Sequence, residues 1–292
     1  SISFKPSPDH NLYASYSKGF KGGGFDPRGV GTNAPAAIPF RPTDAEVSDF
    51  LSFDPETVDS YEAGYKGSFM DGRYYVALAG FYADYTDVQI PGSVACTVLV
   101  GGVATPSFCG VVSNAGAATF KGVELEASAR LAPGFSLSGA LGYIDARYDE
   151  FITNIGGVPT DVAQFRKVQN TPEFTASGTA SYIAALGDGD LAFTGTVSYR
   201  SKTSQFEIPN PFLDQDGFAL VDASVVYSGP GDRWSIGIFG KNLFDKEYKT
   251  SGYTFVGINP TTGAIINGAN GFPAPALGRE GTLTAFYGNP RQ

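Results

Sequence analysis

Few residues in this 292-residue chain could carry out catalysis. His10 is the single histidine and sits among Pro, Asp and Asn, so a serine hydrolase elsewhere would lack its usual base. Glu124 and Glu126 alternate in "GVELEASAR" with Arg130 close by. A glycosidase would use such a carboxylate pair in a cleft that raises one pKa; opposite charges across neighbouring strands explain it more simply. Cys96 and Cys109, in a Gly-, Val- and Ser-rich segment, allow a small disulfide-closed loop in an oxidising compartment or two unpaired buried thiols. The residues suited to binding are Arg28, Arg41, Phe206, Phe212, Tyr253, Phe255 and Phe272, which could hold an aromatic or anionic ligand. Packing of those aromatics among themselves is the competing reading. Asp44, Glu46, Asp49 and Asp54 stand near the two arginines, so no cationic funnel is evident. A net charge of -9 argues against a nucleic-acid partner, and no motif calls for a cofactor or metal.

The elements carrying these residues read as strands. Gly occurs 38 times, aromatics make up 14% and charged residues only 17%, a composition of strands and turns. No apolar run reaches the length of a membrane-crossing helix, which leaves a β-barrel open, because barrel strands need only alternate residues to be apolar. Short turns at Asp71-Gly72, Pro133-Gly134, Gly187 to Asp190 and Gly229 to Asp232 alternate with long connections near 21–56, 91–114, 151–171, 205–217 and 244–278. That alternation is the layout of a bacterial outer-membrane barrel.

Period-two patterning assigns the faces. In "FKGVELEASARL", Val123, Leu125, Ala127, Ala129 and Leu131 share one side, while Gly122, Glu124, Glu126, Ser128 and Arg130 share the other. Leu12, Ala14 and Tyr16 alternate with Tyr13, Ser15 and Ser17 in the same way. The apolar side is expected to meet outer-membrane lipid, with terminal aromatics near the headgroups. A soluble sandwich is disfavoured by strand length and loop asymmetry. Ten strands are expected near 10–20, 57–70, 73–90, 116–132, 135–149, 173–186, 190–204, 217–228, 233–243 and 279–287. An earlier strand end over Ser1 to Lys5 and a turn from Pro6 to His10 lead to the expectation of further chain upstream, and the tail after Phe286 and Tyr287 to that of a terminus other than Gln292.

"GKNLFDKEY", Gly240 to Tyr248, resembles the segment leaving the penultimate barrel strand of TonB-dependent outer-membrane receptors. "YASYSKGFKGGGF", "PETVDSYEAGYKG" and "FKGVELEASARL" are similar to three earlier strands of that family, in the same order. The resemblance implies an all-β, transmembrane antiparallel barrel of about 22 strands. Residues 1–292 would supply roughly its last ten strands, with the plug domain and TonB-contacting region lying elsewhere. It further implies location in the bacterial outer membrane, a TonB-complex partner, and uptake of a ferric siderophore or similar scarce nutrient rather than an enzymatic role. The alternative is a stand-alone ten-stranded outer-membrane barrel acting as a porin or surface hydrolase. The Asn242 to Asp245 stretch is expected to be structural: Asn and Asp turn the backbone while Leu243 and Phe244 anchor it at the membrane rim.

Overall fold

The computed structural model describes residues 1–26, 43–100, 103–114, 116–155, 158–254 and 283–287. In chain order the elements are β1 (Ile2–Ser7), β2 (His10–Lys21), β3 (Gly24–Phe25), helix α1 (Asp44–Leu51), β4 (Ser52–Phe53), β5 (Glu56–Phe69) and β6 (Tyr74–Thr86). There follow β7 (Gln89–Val100), β8 (Val103–Asn114), β9 (Gly116–Ala132), β10 (Phe135–Ile155), β11 (Val158–Asp161), β12 (Phe174–Leu186) and β13 (Gly189–Arg200). The last are β14 (Phe218–Ser228), β15 (Ser235–Gly240), β16 (Lys249–Thr254) and β17 (Leu283–Tyr287). No described helix is long and apolar enough to cross a membrane.

One antiparallel meander dominates, running β1-β2-β5-β6-β9-β10-β12-β13-β14-β15 with β11 added to β10. Its tight turns lie at one end and its long connections at the other. The turns use the left-handed backbone expected of them: φ is 54° at Asp71, 72° at Gly72, 62° at Gly187 and 63° at Gly231. Gly134, at φ 74°, is constrained twice over, because a Cβ there would lie 2.1 Å from the Ile183 carbonyl oxygen. Gly134→Ala is therefore expected to lower stability by about 1–2 kcal/mol or more. Thermal melting of the detergent-purified protein measures it.

Cross-strand register sorts the side chains into two faces. One row runs Leu12, Tyr65, Leu78, Leu125, Leu141, Ala176, Tyr199, each opposite the next. The row directly behind runs Tyr13, Gly64, Ala79, Glu124, Gly142, Thr175, Arg200. The first face leaves Leu12, Leu78, Val123, Leu141, Val197 and Ile238 exposed across the whole sheet, far more apolar surface than a water-facing wall carries. Two tyrosine contacts run along it, Tyr16 to Tyr61 at 5.1 Å and Tyr61 to Tyr82 at 6.4 Å between ring centroids. The second face is polar and finely grained, with Thr179 bonded to Thr196 at 2.9 Å and Ser181 to Thr194 at 3.3 Å. Gly64 makes room there for the Tyr13 ring, whose hydroxyl donates to Glu62 at 2.6 Å.

Four expectations need correction. The 91–114 connection is a β7–β8 hairpin, in which two successive runs of alternating residues pair with each other outside the main sheet. The 244–278 connection contains β16. β17 pairs with β16 among the described residues, not with β15. No opposite charge faces the two glutamates from the neighbouring strands: Glu124 stands between Ala79 and Gly142 and Glu126 between Ala77 and Ala140, while Arg130, on their own strand, is engaged at the turn. Its Nη2 donates to the Gly72 carbonyl at 2.6 Å, while Arg73 Nε returns a bond to the Arg130 carbonyl at 2.6 Å, so two arginines stitch a turn. The described ion pairs, Lys18–Asp59, Lys121–Asp145 and Arg147–Asp149, lie on other strand positions.

Candidate functional site at the loop end of the inner wall

The polar face leads to the end of the sheet where the long connections gather. Gln89 acts as one staple there: its Nε2 donates to the carbonyls of Gly22 at 3.0 Å and Asp54 at 2.9 Å, and its backbone N–H to Glu56 Oε2 at 2.8 Å. Asn114 is a second, donating from Nδ2 to Asp54 and Asp87 carbonyls at 2.9 and 2.8 Å and accepting from the Asp54 N–H at 2.7 Å. Each primary amide thus satisfies backbone groups of different connections that no sheet ladder reaches. Beside them Ile90, Phe151 and Val162 form a buried cluster with Tyr148 and Phe165 packed against it.

Asp161, ending β11, accepts the N–H groups of Ala163 and Phe151, both at 3.0 Å. These bonds hold its carboxyl below the ordinary carboxylate range, against a smaller opposing effect of burial. A depressed folded-state pKa contributes stability above the unfolded pKa of about 4, lost as pH falls through the folded value. Acidification below about pH 4 should accordingly loosen the 150–163 segment. Pulsed hydrogen exchange should show this in the native protein, and Asp161→Asn should remove the acid-dependent component.

The connection after β11 carries Arg166, which is only 6% exposed. Its guanidinium lies 5.2 Å over the Phe151 ring, and Nε and Nη1 have no hydrogen-bond partner among the described residues. Burial lowers its pKa below the usual guanidinium value while the Glu207 carboxylate opposes the change. The neighbouring connection is fastened onto this one: Lys167 N–H donates to the Glu207 carbonyl at 2.8 Å, Asn170 N–H to the Ser204 carbonyl at 2.8 Å, and Gln169 Nε2 to Glu207 Oε2 at 2.7 Å. Asp214, buried, accepts the Asn210 N–H at 3.2 Å, and Lys249 Nζ donates to the Phe212 and Asp214 carbonyls at 3.0 and 2.8 Å.

Between these connections and the inner face lies a cleft of about 390 Å³ whose lining includes Ile144, Lys167, Thr171, Ser201, Lys202 and Ser204. A second, of about 410 Å³, adjoins it through Lys167, Lys202, Pro209 and Asp214. Glu173 and Asp214 also line the first cleft, so ammonium, carboxylate and hydroxyl groups stand together on prolyl and aliphatic walls, a polar lining that can hold an oxygen-rich ligand without reacting with it.

Of the sequence-derived candidates, Phe206 and Phe212 fall in the connection after β13, and neither is among the residues lining the two clefts. Tyr253 lies on the β16 backbone; Arg28, Arg41, Phe255 and Phe272 lie outside the described residues. Cys96 stands opposite Ser107 and Cys109 opposite Val94, two positions out of direct register on the β7–β8 hairpin. Arg166, Lys167 and Lys202 were not among the candidates. Their signal was basic residues in "FRKVQN" and "YRSKTS", at the edges of adjacent long connections.

A long antiparallel meander, apolar on one face and polar on the other, with short turns at one end and elaborated connections at the other, defines the wall of an outer-membrane β-barrel. Residues 1–243 match the TonB dependent receptor-like β-barrel family, and the chain belongs to it. The chain is 27% identical over 267 residues to the metal-pseudopaline receptor of Pseudomonas aeruginosa (strain UCBPP-PA14), covering 89% of this chain and 31% of that one. It is 25% identical over 253 residues to the pesticin receptor of Yersinia pestis, covering 87% and 32%. The ferric yersiniabactin uptake receptor of Yersinia pestis superposes with a TM-score of 0.63 at 21% identity, over 99% of this chain and 34% of that structure. The chain thus spans about a third of the length of these relatives. Members of the family are outer-membrane transport receptors.

Proposed function

We propose that this chain forms part of the barrel wall of an outer-membrane receptor that imports a metal chelate of the ferric-siderophore type, energised by the TonB complex, with no catalytic step of its own. The observation that carries this reading is the polar inner face running up to the clefts around Lys167 and Lys202. A chelate captured there would stand at the head of a largely polar, hydroxyl-bearing wall. The names of the relatives, receptors for a metal-pseudopaline and for ferric yersiniabactin, support the same class of cargo. The cargo, the TonB partner and the outer-membrane lipid contact are parts of this one proposal. Uptake of radiolabelled ferric chelates by a deletion strain carrying the whole receptor tests it. Accumulation should require the receptor and collapse with a protonophore, whereas accumulation that survives the protonophore would identify a passive pore.

A further inference from the structure

Independently of which cargo is imported, we propose that a small pocket over Arg200, apart from the two clefts above, binds an oxyanion group, either free or carried on a larger molecule. The pocket, of about 180 Å³, lies where the connections after β11, β13 and β15 meet the head of the sheet, and its lining includes Asn170, Arg200, Thr203, Gln205 and Lys249. Arg200 ends the inner row, opposite Thr175 and Phe218. Phe218 stacks on Tyr248 at 4.5 Å with 16° between the rings, which brings the neighbouring Lys249 to the same edge. The walls are held by the protein itself: Thr203 and Gln215 exchange backbone bonds at 2.9 and 3.0 Å, and Gln215 Oε1 accepts the Lys249 N–H at 2.6 Å.

Charge and unspent donors point to an anion. No carboxylate lines this pocket among the described residues, whereas Arg200 and Lys249 both do. No described ion pair engages either cation. Lys249 Nζ meets Asp214 through its carbonyl oxygen; the Asp214 carboxylate accepts the N–H groups of Asn210 and Gln205 at 3.2 and 3.4 Å and lines the other two clefts. Gln205 is only 6% exposed, yet its side chain makes no hydrogen bond to a described residue, and neither do the side chains of Asn170 and Thr203. A buried primary amide without a partner is costly. Here it shares the pocket with a guanidinium and a hydroxyl, donors enough for the lone pairs of one oxyanion, and the planar guanidinium can take two of its oxygens at once. The space suits such a group better than a drug-sized ligand, which fills roughly 300 Å³ or more.

The test is calorimetric binding of inorganic phosphate, glucose 6-phosphate and glucose to the intact protein in detergent, at ionic strength held constant with sodium chloride. Heat-modifiable gel mobility is the folding control. Phosphate should bind with a dissociation constant of about 1 mM or tighter and raise the melting temperature. Arg200→Gln, a change at an exposed and unpaired side chain, should weaken phosphate about tenfold or more, and Arg200→Lys should lose less because it keeps the charge but not the fork. Gln205→Glu, which turns a carboxylate into the pocket, should abolish binding. Glucose 6-phosphate binding as phosphate does would show that the pocket takes a pendant group, and phosphate binding alone that it takes the free ion; either result supports the proposal. Glucose binding as tightly as phosphate, no saturable phosphate binding, or equal phosphate affinity in a folded Arg200→Gln variant overturns it. None of these results bears on chelate uptake, which falls only if energised accumulation is absent.

Discussion

Leu125→Lys should nearly abolish assembly of the receptor into the outer membrane, whereas Ser128→Lys, three residues along the same strand, should leave it intact. Leu125 stands in the middle of the apolar face, flanked by Leu78 and Leu141. An ammonium there has lipid on one side and aliphatic neighbours on the other, a cost of about 2–4 kcal/mol at the bilayer midplane. Ser128 lies on the opposite face between Tyr75 and Ser138, beside a polar opening of the inner wall. Lysine at that position keeps its charge in water. Heat-modifiable mobility and surface protease protection of the two variants give the comparison, and equal assembly of both would overturn the assignment of faces.

The second large effect is expected at Asn242. This residue is 5% exposed and adopts φ 48°, a left-handed conformation that Asn tolerates better than most residues. Its Nδ2 donates to the Lys246 carbonyl at 3.0 Å, its Oδ1 accepts the Lys246 N–H at 2.8 Å, and its own N–H donates to Asp222 Oδ1 at 2.8 Å. Asn242→Ala removes both side-chain bonds to the Lys246 backbone from a buried side-chain position and places a Cβ-only side chain in a strained turn. Roughly 2–4 kcal/mol of stability should be lost. Asn242→Gly, which keeps the φ but not the bonds, should lose less. Denaturant unfolding of the receptor in detergent separates them. Because Asp222 lies on the inner face opposite Thr196, the variant should also loosen the exit of β15.

These two sites mark what the sequence made legible. Leu125 was assigned to lipid from alternation alone, because one face of a long strand had to be apolar and the period of two leaves no other solution. The turn role of Asn242 and Asp245 followed from side chains that can bond their own backbone, and both have positive φ. The β7–β8 hairpin was not legible in the same way. Its pairing partners are each other, so neither strand needs an apolar face to match the main sheet, and Gly and Pro in the stretch pointed to a loop. The loop-end site was misplaced for a related reason. Aromatics such as Phe206 and Phe212 attracted the assignment, yet the clefts form where Lys167 and Lys202 converge from connections that are distant in sequence. Convergence of that kind depends on the bonds from Lys167 and Asn170 to the next connection, which no local pattern encodes.

On β12 the apolar row runs from Phe174 through Tyr182 to Leu186, and Phe174 packs on Tyr199 of β13 at 6.1 Å. At about 3.3 Å per residue that row is roughly 40 Å long, and a strand tilted by about 40° spans roughly 30 Å of bilayer depth. Such a wall is matched to a hydrocarbon layer of ordinary thickness. Placed in a thicker membrane it would have to pinch the surrounding lipid or stand more upright, so membrane thickness alone becomes a means of sorting it to one compartment.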